Sequence, residues 1–187
     1  MELFDKAICF AVKMHRGAVR KGTETPYIVH PMEAAAIVAT MTNDPEVLAA
    51  AVLHDTVEDT EASITDIRQE CGEGVARLVA AESENKREDV AAEDTWKVRK
   101  QETLDHLAHA SREEKMITLG DKLSNIRAMY RDYLAIGDQL WERFNQKDKR
   151  EHAWYYGSIG ELLAELRGEP AYEEYARLVG EVFGGLN

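Results

Sequence analysis

The chain is short of the residues that would place it in several common classes. Cys9 and Cys71 are its only cysteines, too few and too far apart for a disulfide framework or a thiolate metal site. Both fall in helical-looking segments and read as small buried hydrophobes. No apolar run approaches the ~20 residues that a membrane span needs. The opening MELFDKAICF carries early acidic residues and no long apolar core, which argues against a signal peptide. A soluble, reducing, cytoplasmic setting is therefore expected, with no membrane partner. Basic residues are also scarce: 23 Lys and Arg stand against 35 Asp and Glu, a formal charge of −12. That balance excludes a general nucleic-acid binder, whose affinity rests on neutralising phosphates. It also means that a phosphorylated small molecule needs a local basic patch or a bound cation to reverse the field. Strand-like alternation of useful length is missing as well.

What is present is helical periodicity along nearly the whole chain, in an ordinary globular balance of 44% hydrophobic and 31% charged residues. The fold class is all-α, most simply one domain over residues 1–187. Gly17, Gly22 and Pro26 mark a loop before His30. Pro31 suits the first turn of a helix over 31–41. Asp44 and Pro45 then cap and start a helix that is expected to run on to His54–Glu58. Ser63 and Ser111 open further capping signals, the second for a long helix carrying Asp121. Residues 83–94 form the most polar stretch and predict a mobile surface loop or a frayed helix, followed by helix over 95–110. Two more helices follow, at about 149–166 and 171–183.

The most informative segment is His54-Asp55-Thr56-Val57-Glu58-Asp59, which ends the apolar run Val47–Leu53. Burying carboxylates and an imidazole there costs several kcal/mol unless something compensates, and a metal ion is the natural compensator. On a continuous helix His54 pairs with Glu58, and Asp55 with Asp59, on shared faces. His30 at a loop-to-helix junction and Asp121 in an apolar helix can complete a site. Two imidazoles and two carboxylates suit Mn²⁺, Fe²⁺ or Zn²⁺ better than Mg²⁺. Asp121 has a second reading, as an ion-pair partner of Lys122 or Arg127.

Arg20-Lys21, Pro26-Tyr27, His30-Pro31, the His54–Asp59 segment and Asp121-Lys122 with Asn125 together resemble the hydrolase domain of Rel/Spo-type alarmone enzymes. These belong to the HD-domain metal-dependent phosphohydrolases, and the likeness is closest in kind to the small stand-alone alarmone hydrolases. It runs from about residue 4 to 130. The resemblance implies one Mn²⁺ held by His30, His54, Asp55 and Asp121, with Glu58 and Asp59 handling the attacking water. It implies removal of the 3′-pyrophosphate from guanosine tetra- or pentaphosphate, giving pyrophosphate and GDP or GTP. It places Arg20 and Lys21 beside the purine, Tyr27 as a frame for the nucleotide and Asn125 against the nucleoside. Residues of about 1–135 form the catalytic core in this reading, and about 138–187 a helical cap rich in aromatics. The synthetase and regulatory regions of the long enzymes are absent, so synthesis of the alarmone is not expected.

Three features depart from the better-known relatives: Ala128 in place of a hydroxyl residue, the segment Glu82–Lys86, and the basic run Lys97–Lys100. They leave two further readings: hydrolysis of another nucleotide, such as an adenine alarmone or an NADPH-like molecule, and nucleotide sensing without turnover. The Glu58-Asp59 pair argues against the sensor. A homo-oligomer through the aromatic helices stays open.

Overall fold

The computed structural model describes residues 2–83 and 92–184. Lys86 and the rest of the expected polar loop over 84–91 lie outside them. The helices are α1 (Leu3–Met14), α2 (Val29–Val38), α3 (Pro45–Leu53), α4 (Thr56–Asp59), α5 (Ile64–Cys71), α6 (Glu73–Glu82), α7 (Ala92–Leu107), α8 (Arg112–Ile136), α9 (Lys149–Leu162) and α10 (Pro170–Phe183). Short 3₁₀ turns over Gly137–Arg143 and Ala164–Leu166 join the last three. Among the described residues the only β pairing is an isolated bridge between Val19 and Pro26. No helix there is long and apolar enough to cross a membrane.

α3 is the centre of the core. Ala49, Ala50, Ala51, Val52 and Leu53 are all fully buried, and α1, α2, α6 and α8 pack around the helix. Its alanines let four neighbours approach closely, at little side-chain entropy cost. α8 is the long strut, packed against α2 on one side and α10 on the other. Gly120 sets the α2–α8 spacing. A Cβ there would sit 2.7 Å from Cγ2 of Val38 and 2.8 Å from the carbonyl oxygen of Ala34, so only glycine fits. That close approach brings His30 on α2 level with Asp121 on α8.

The terminators act as their chemistry predicts. Asp44 accepts from the Glu46 amide, with Pro45 in the first turn of α3. Ser63 with Asp66 and Ser111 with Glu114 form complete capping boxes. Gly137 takes φ 57° and ends α8.

Four boundaries or burials differ from expectation. α2 starts at Val29, so His30 lies inside its first turn, where Pro31 needs no amide partner. α7 starts at Ala92 and ends at Leu107, with the chain turning ahead of the Ser111 cap. Cys9 is exposed, because Ala7 and Ala11 occupy the inner face of α1. The helix expected to pass through His54–Glu58 instead stops at Leu53, and α4 is a separate turn. Asp55 at φ −90° and ψ −5° makes the break.

Candidate metal centre

The break after α3 aims two adjacent side chains at one point, which a continuous helix would have splayed about 100° apart. Nε2 of His54 lies 3.2 Å from Oδ2 of Asp55 and 3.7 Å from Oδ1 of Asp121. Nε2 of His30 lies 3.3 and 3.2 Å from the same two oxygens. Donor atoms of His30, His54 and Asp121 all fall within 4.8 Å of one another, and the three residues are buried. The four residues expected to meet do meet.

A divalent cation fits this set. Nδ1 of His54 lies 2.8 Å from the carbonyl oxygen of Ala51, which can only accept. In the neutral ring the proton therefore sits on Nδ1, and Nε2 presents a lone pair to two carboxylate oxygens. That buried nitrogen has no hydrogen-bond partner. Burial opposes charge on His54, yet Asp55 and Asp121 outweigh it and hold the imidazole well above its ordinary pKa. The cluster calls for positive charge at the point where the four side chains converge.

Asp121 faces both sets of partners at once. Oδ1 faces the imidazoles, while Oδ2 accepts from Nζ of Lys122 at 2.6 Å. Oδ1 also accepts from Nδ2 of Asn125 at 2.5 Å, and Oδ1 of Asn125 accepts from Nη2 of Arg20 at 2.6 Å. Arg127 is engaged elsewhere, with Glu33 and Glu174.

Tyr27 sits closer to the centre than framing a nucleotide requires. Its hydroxyl lies 2.6 Å from Oδ2 of Asp55 and 2.6 Å from Oδ2 of Asp59. One proton serves two carboxylates, and burial together with Asp55 and Asp59 holds that phenol far above its ordinary pKa. His15 stacks on Tyr27 at 5.0 Å. Glu58 lines the same cleft as the cluster and is half-buried.

Two cavities meet here. A cleft of about 190 Å³ holds the four convergent residues with Glu58 and Asp59. A larger one, about 560 Å³, is walled by Arg20, Lys21, Asn125, Ala128, Arg143 and Phe144 among others. Arg20, Tyr27, His30 and Asn125 border both. The larger volume is within the range of roughly 300–1,000 Å³ typical of small-molecule sites. Lys13 and Arg16, the basic residues that precede Arg20 and Lys21, are exposed and line neither cavity.

The basic run on α7 divides. Lys97 pairs with Glu151 and lies over the Trp154 ring, whereas Lys100 lines the smaller cleft beside Lys122. Arg20, Lys100 and Lys122 bring positive charge to a cleft that also holds the carboxyl groups of Asp55, Glu58, Asp59, Glu82 and Asp121.

Tyr155 and Glu82 line that cleft and were not singled out as site residues from the sequence. Tyr155, on α9, is 3% exposed, and its hydroxyl has no partner. In sequence it is one of a run of aromatics whose role is core packing, as Trp141 and Tyr156 show. Glu82 ends α6 with its two carboxylate oxygens 3.0 and 3.1 Å from Oγ1 of Thr118. Burial pushes it up to about 7, against the pull of Lys122 and Thr118. Its only signal was the departure at the start of the polar segment.

Comparison with known proteins agrees with this geometry. The sequence model of the HD domain matches residues 7–143. The chain is 36% identical over 129 residues to guanosine-3′,5′-bis(diphosphate) 3′-pyrophosphohydrolase MESH1 of Danio rerio, covering 67% of this chain and 68% of that one. It is 34% identical over 130 residues to the GTP pyrophosphokinase rsh of Brucella ovis, covering 68% of this chain but 17% of that longer protein. Among solved structures, a metazoan orthologue of SpoT that hydrolyses ppGpp superposes with TM-score 0.75 at 27% identity, over 95% of this chain and 94% of that one. A Listeria monocytogenes protein gives TM-score 0.73 at 33% identity, over 83% and 99%.

Proposed function

The chain belongs to the HD-domain family, and on that premise we propose that it hydrolyses the 3′-pyrophosphate of guanosine tetra- or pentaphosphate, releasing pyrophosphate and GDP or GTP. The observation that carries this reading is the convergence of His30, His54, Asp55 and Asp121 on the partnerless Nε2 of His54. These four residues hold the divalent ion, taken as Mn²⁺. When bound, the ion supplies Lewis acidity, lowering the pKa of water and neutralising charge on the phosphoryl group.

The chain's own residues do the rest. Glu58 takes a proton from the attacking water as its oxygen bonds to phosphorus and the bond from phosphorus to the ribose 3′-oxygen breaks. Asp59, tied to Asp55 through Tyr27, orients that carboxylate pair. The larger cavity takes the nucleoside, with Arg20 and Lys21 beside the purine and Asn125 at the ribose end. The smaller cleft takes the 3′-diphosphate against Lys100, Lys122 and Tyr155. In this reading residues of about 1–135 are the catalytic core, and about 138–187 a helical cap whose α9 supplies Tyr155.

A cation-dependent turnover assay across ppGpp, pppGpp, ppApp and NADPH tests the assignment. Pyrophosphate release greatest from the guanosine substrates supports it. Preference for an adenine nucleotide replaces the substrate, and tight binding without turnover replaces the enzyme with a sensor.

A further inference from the structure

The ligand His30 is gripped from behind by a chain of polar side chains. Its Nδ1 lies 2.8 Å from Oγ of Ser124, and that hydroxyl lies 2.7 Å from Oε2 of Glu33. Oε1 of Glu33 accepts from Nη1 of Arg127 at 3.0 Å. Arg127 in turn donates through Nε and Nη2 to both carboxylate oxygens of Glu174, at 2.7 and 2.6 Å. Glu33 is one turn beyond His30 on α2, and Ser124 and Arg127 are successive turns of α8 beyond Asp121. Glu174 lies on α10, outside the stretch matched by the HD-domain sequence model.

The direction of the serine proton is fixed by its neighbours. Serine has a single hydroxyl proton. A carboxylate only accepts, so the proton goes to Glu33, and the serine oxygen offers a lone pair to Nδ1–H of His30. In the neutral ring Nε2 is then the unprotonated nitrogen, facing Asp55 and Asp121. The opposite tautomer would place a hydrogen where a ligand lone pair is needed. Ser124 and His30 are 2% and 3% exposed, so water does not compete for these groups.

We propose that Ser124 and Glu33 are positioning residues of the metal centre: Glu33, oriented by Arg127, takes the Ser124 proton and so fixes His30 in the tautomer that binds a divalent cation through Nε2. The inference rests on His30 being a ligand in the proposed centre. Partners behind a ligating histidine typically tune affinity about 10–100-fold.

Titration calorimetry of metal-free protein with Mn²⁺ tests it, alongside thermal unfolding of the same metal-free samples. Ser124→Ala removes the acceptor for Nδ1–H. Glu33→Gln keeps the shape but lets the amide donate to Ser124, turning the serine proton back toward His30. Both are expected to weaken Mn²⁺ binding about 10–100-fold, while Ser124→Thr, which keeps the hydroxyl, stays near wild type. Mn²⁺ affinity in Ser124→Ala and Glu33→Gln within about twofold of wild type would overturn the proposal, and a shared loss of thermal stability with it would reduce the bonds to α2–α8 packing. Should Ser124→Ala not fold, Glu33→Gln at the half-exposed end decides. Wild-type protein that binds no divalent cation would overturn the metal-centre reading itself, and this inference with it.

Discussion

Nε2 of His30, in the first turn of α2, stands 3.2 Å from Oδ1 of Asp121, in the third turn of α8. Gly120 permits that approach, and His54 and Asp55 close the ring. Asp121→Ala is therefore expected to reduce Mn²⁺ binding below detection by calorimetry and to abolish turnover with it. Glu58→Gln should keep wild-type affinity for the ion yet lose about 10²–10⁴-fold in kcat, the usual worth of a general base. Near-wild-type turnover in Glu58→Gln would remove Glu58 from that role.

Tyr27 joins the ion-holding half of the site to the water-handling half, through Asp55 and Asp59. Tyr27→Phe leaves the ring stacked on His15 and deletes only the bridge. A hydrogen bond to a charged group contributes about 1.5–3 kcal/mol, so kcat/KM is expected to fall roughly 10–100-fold. Unchanged kcat/KM would make the bridge a bystander.

Tyr155 carries a buried hydroxyl with no partner in a cleft lined by Lys100 and Lys122. In the proposed site the phosphate of the substrate is the acceptor for that hydroxyl. Tyr155→Phe should raise KM about tenfold or more on the same scale and leave the unfolding temperature of the substrate-free protein unchanged or slightly higher. A rise in neither KM nor the dissociation constant of a non-hydrolysed nucleotide would assign Tyr155 to packing alone.

Glu82 gives the metal-free protein a pH signature. Its pKa is raised by folding from an ordinary 4.5 to about 7. Between those values the native state holds a proton that the unfolded chain has lost, so stability falls as pH rises through the window. The loss is on the order of 1–3 kcal/mol, at about 1.4 kcal/mol per unit. Denaturant melts at about pH 5 and about pH 8 should show a steeper fall in wild type than in Glu82→Gln. An equal slope in both proteins would mean that Glu82 titrates as an ordinary surface carboxylate.

Local chemistry explains which parts of the molecule were readable in advance. Caps at Asp44, Ser63 and Ser111 are decided within a few residues, and they fell where the sequence puts them. The His54–Asp59 segment drew notice because burying such groups in an apolar helix demands compensation, and its grouping with His30 and Asp121 came from the family resemblance. The break between α3 and α4 was not readable, because residues 47–58 have helical character throughout. The turn is chosen by how His54 and Asp55 must aim across the fold. Tyr155, Glu82 and the Ser124–Glu33 pair were hidden for a related reason. A tyrosine among aromatics, a glutamate at a helix end and a serine on a long helix acquire their roles only from what packs against them.

The most direct test of the whole account is pyrophosphate release from ppGpp by the purified protein, followed with Mn²⁺ present and after its removal by a chelator. Multiple turnover with Mn²⁺, lost on chelation and restored by adding the ion back, is the predicted result. Bound ppGpp that stays intact with Mn²⁺ and with every other divalent cation supplied would contradict it.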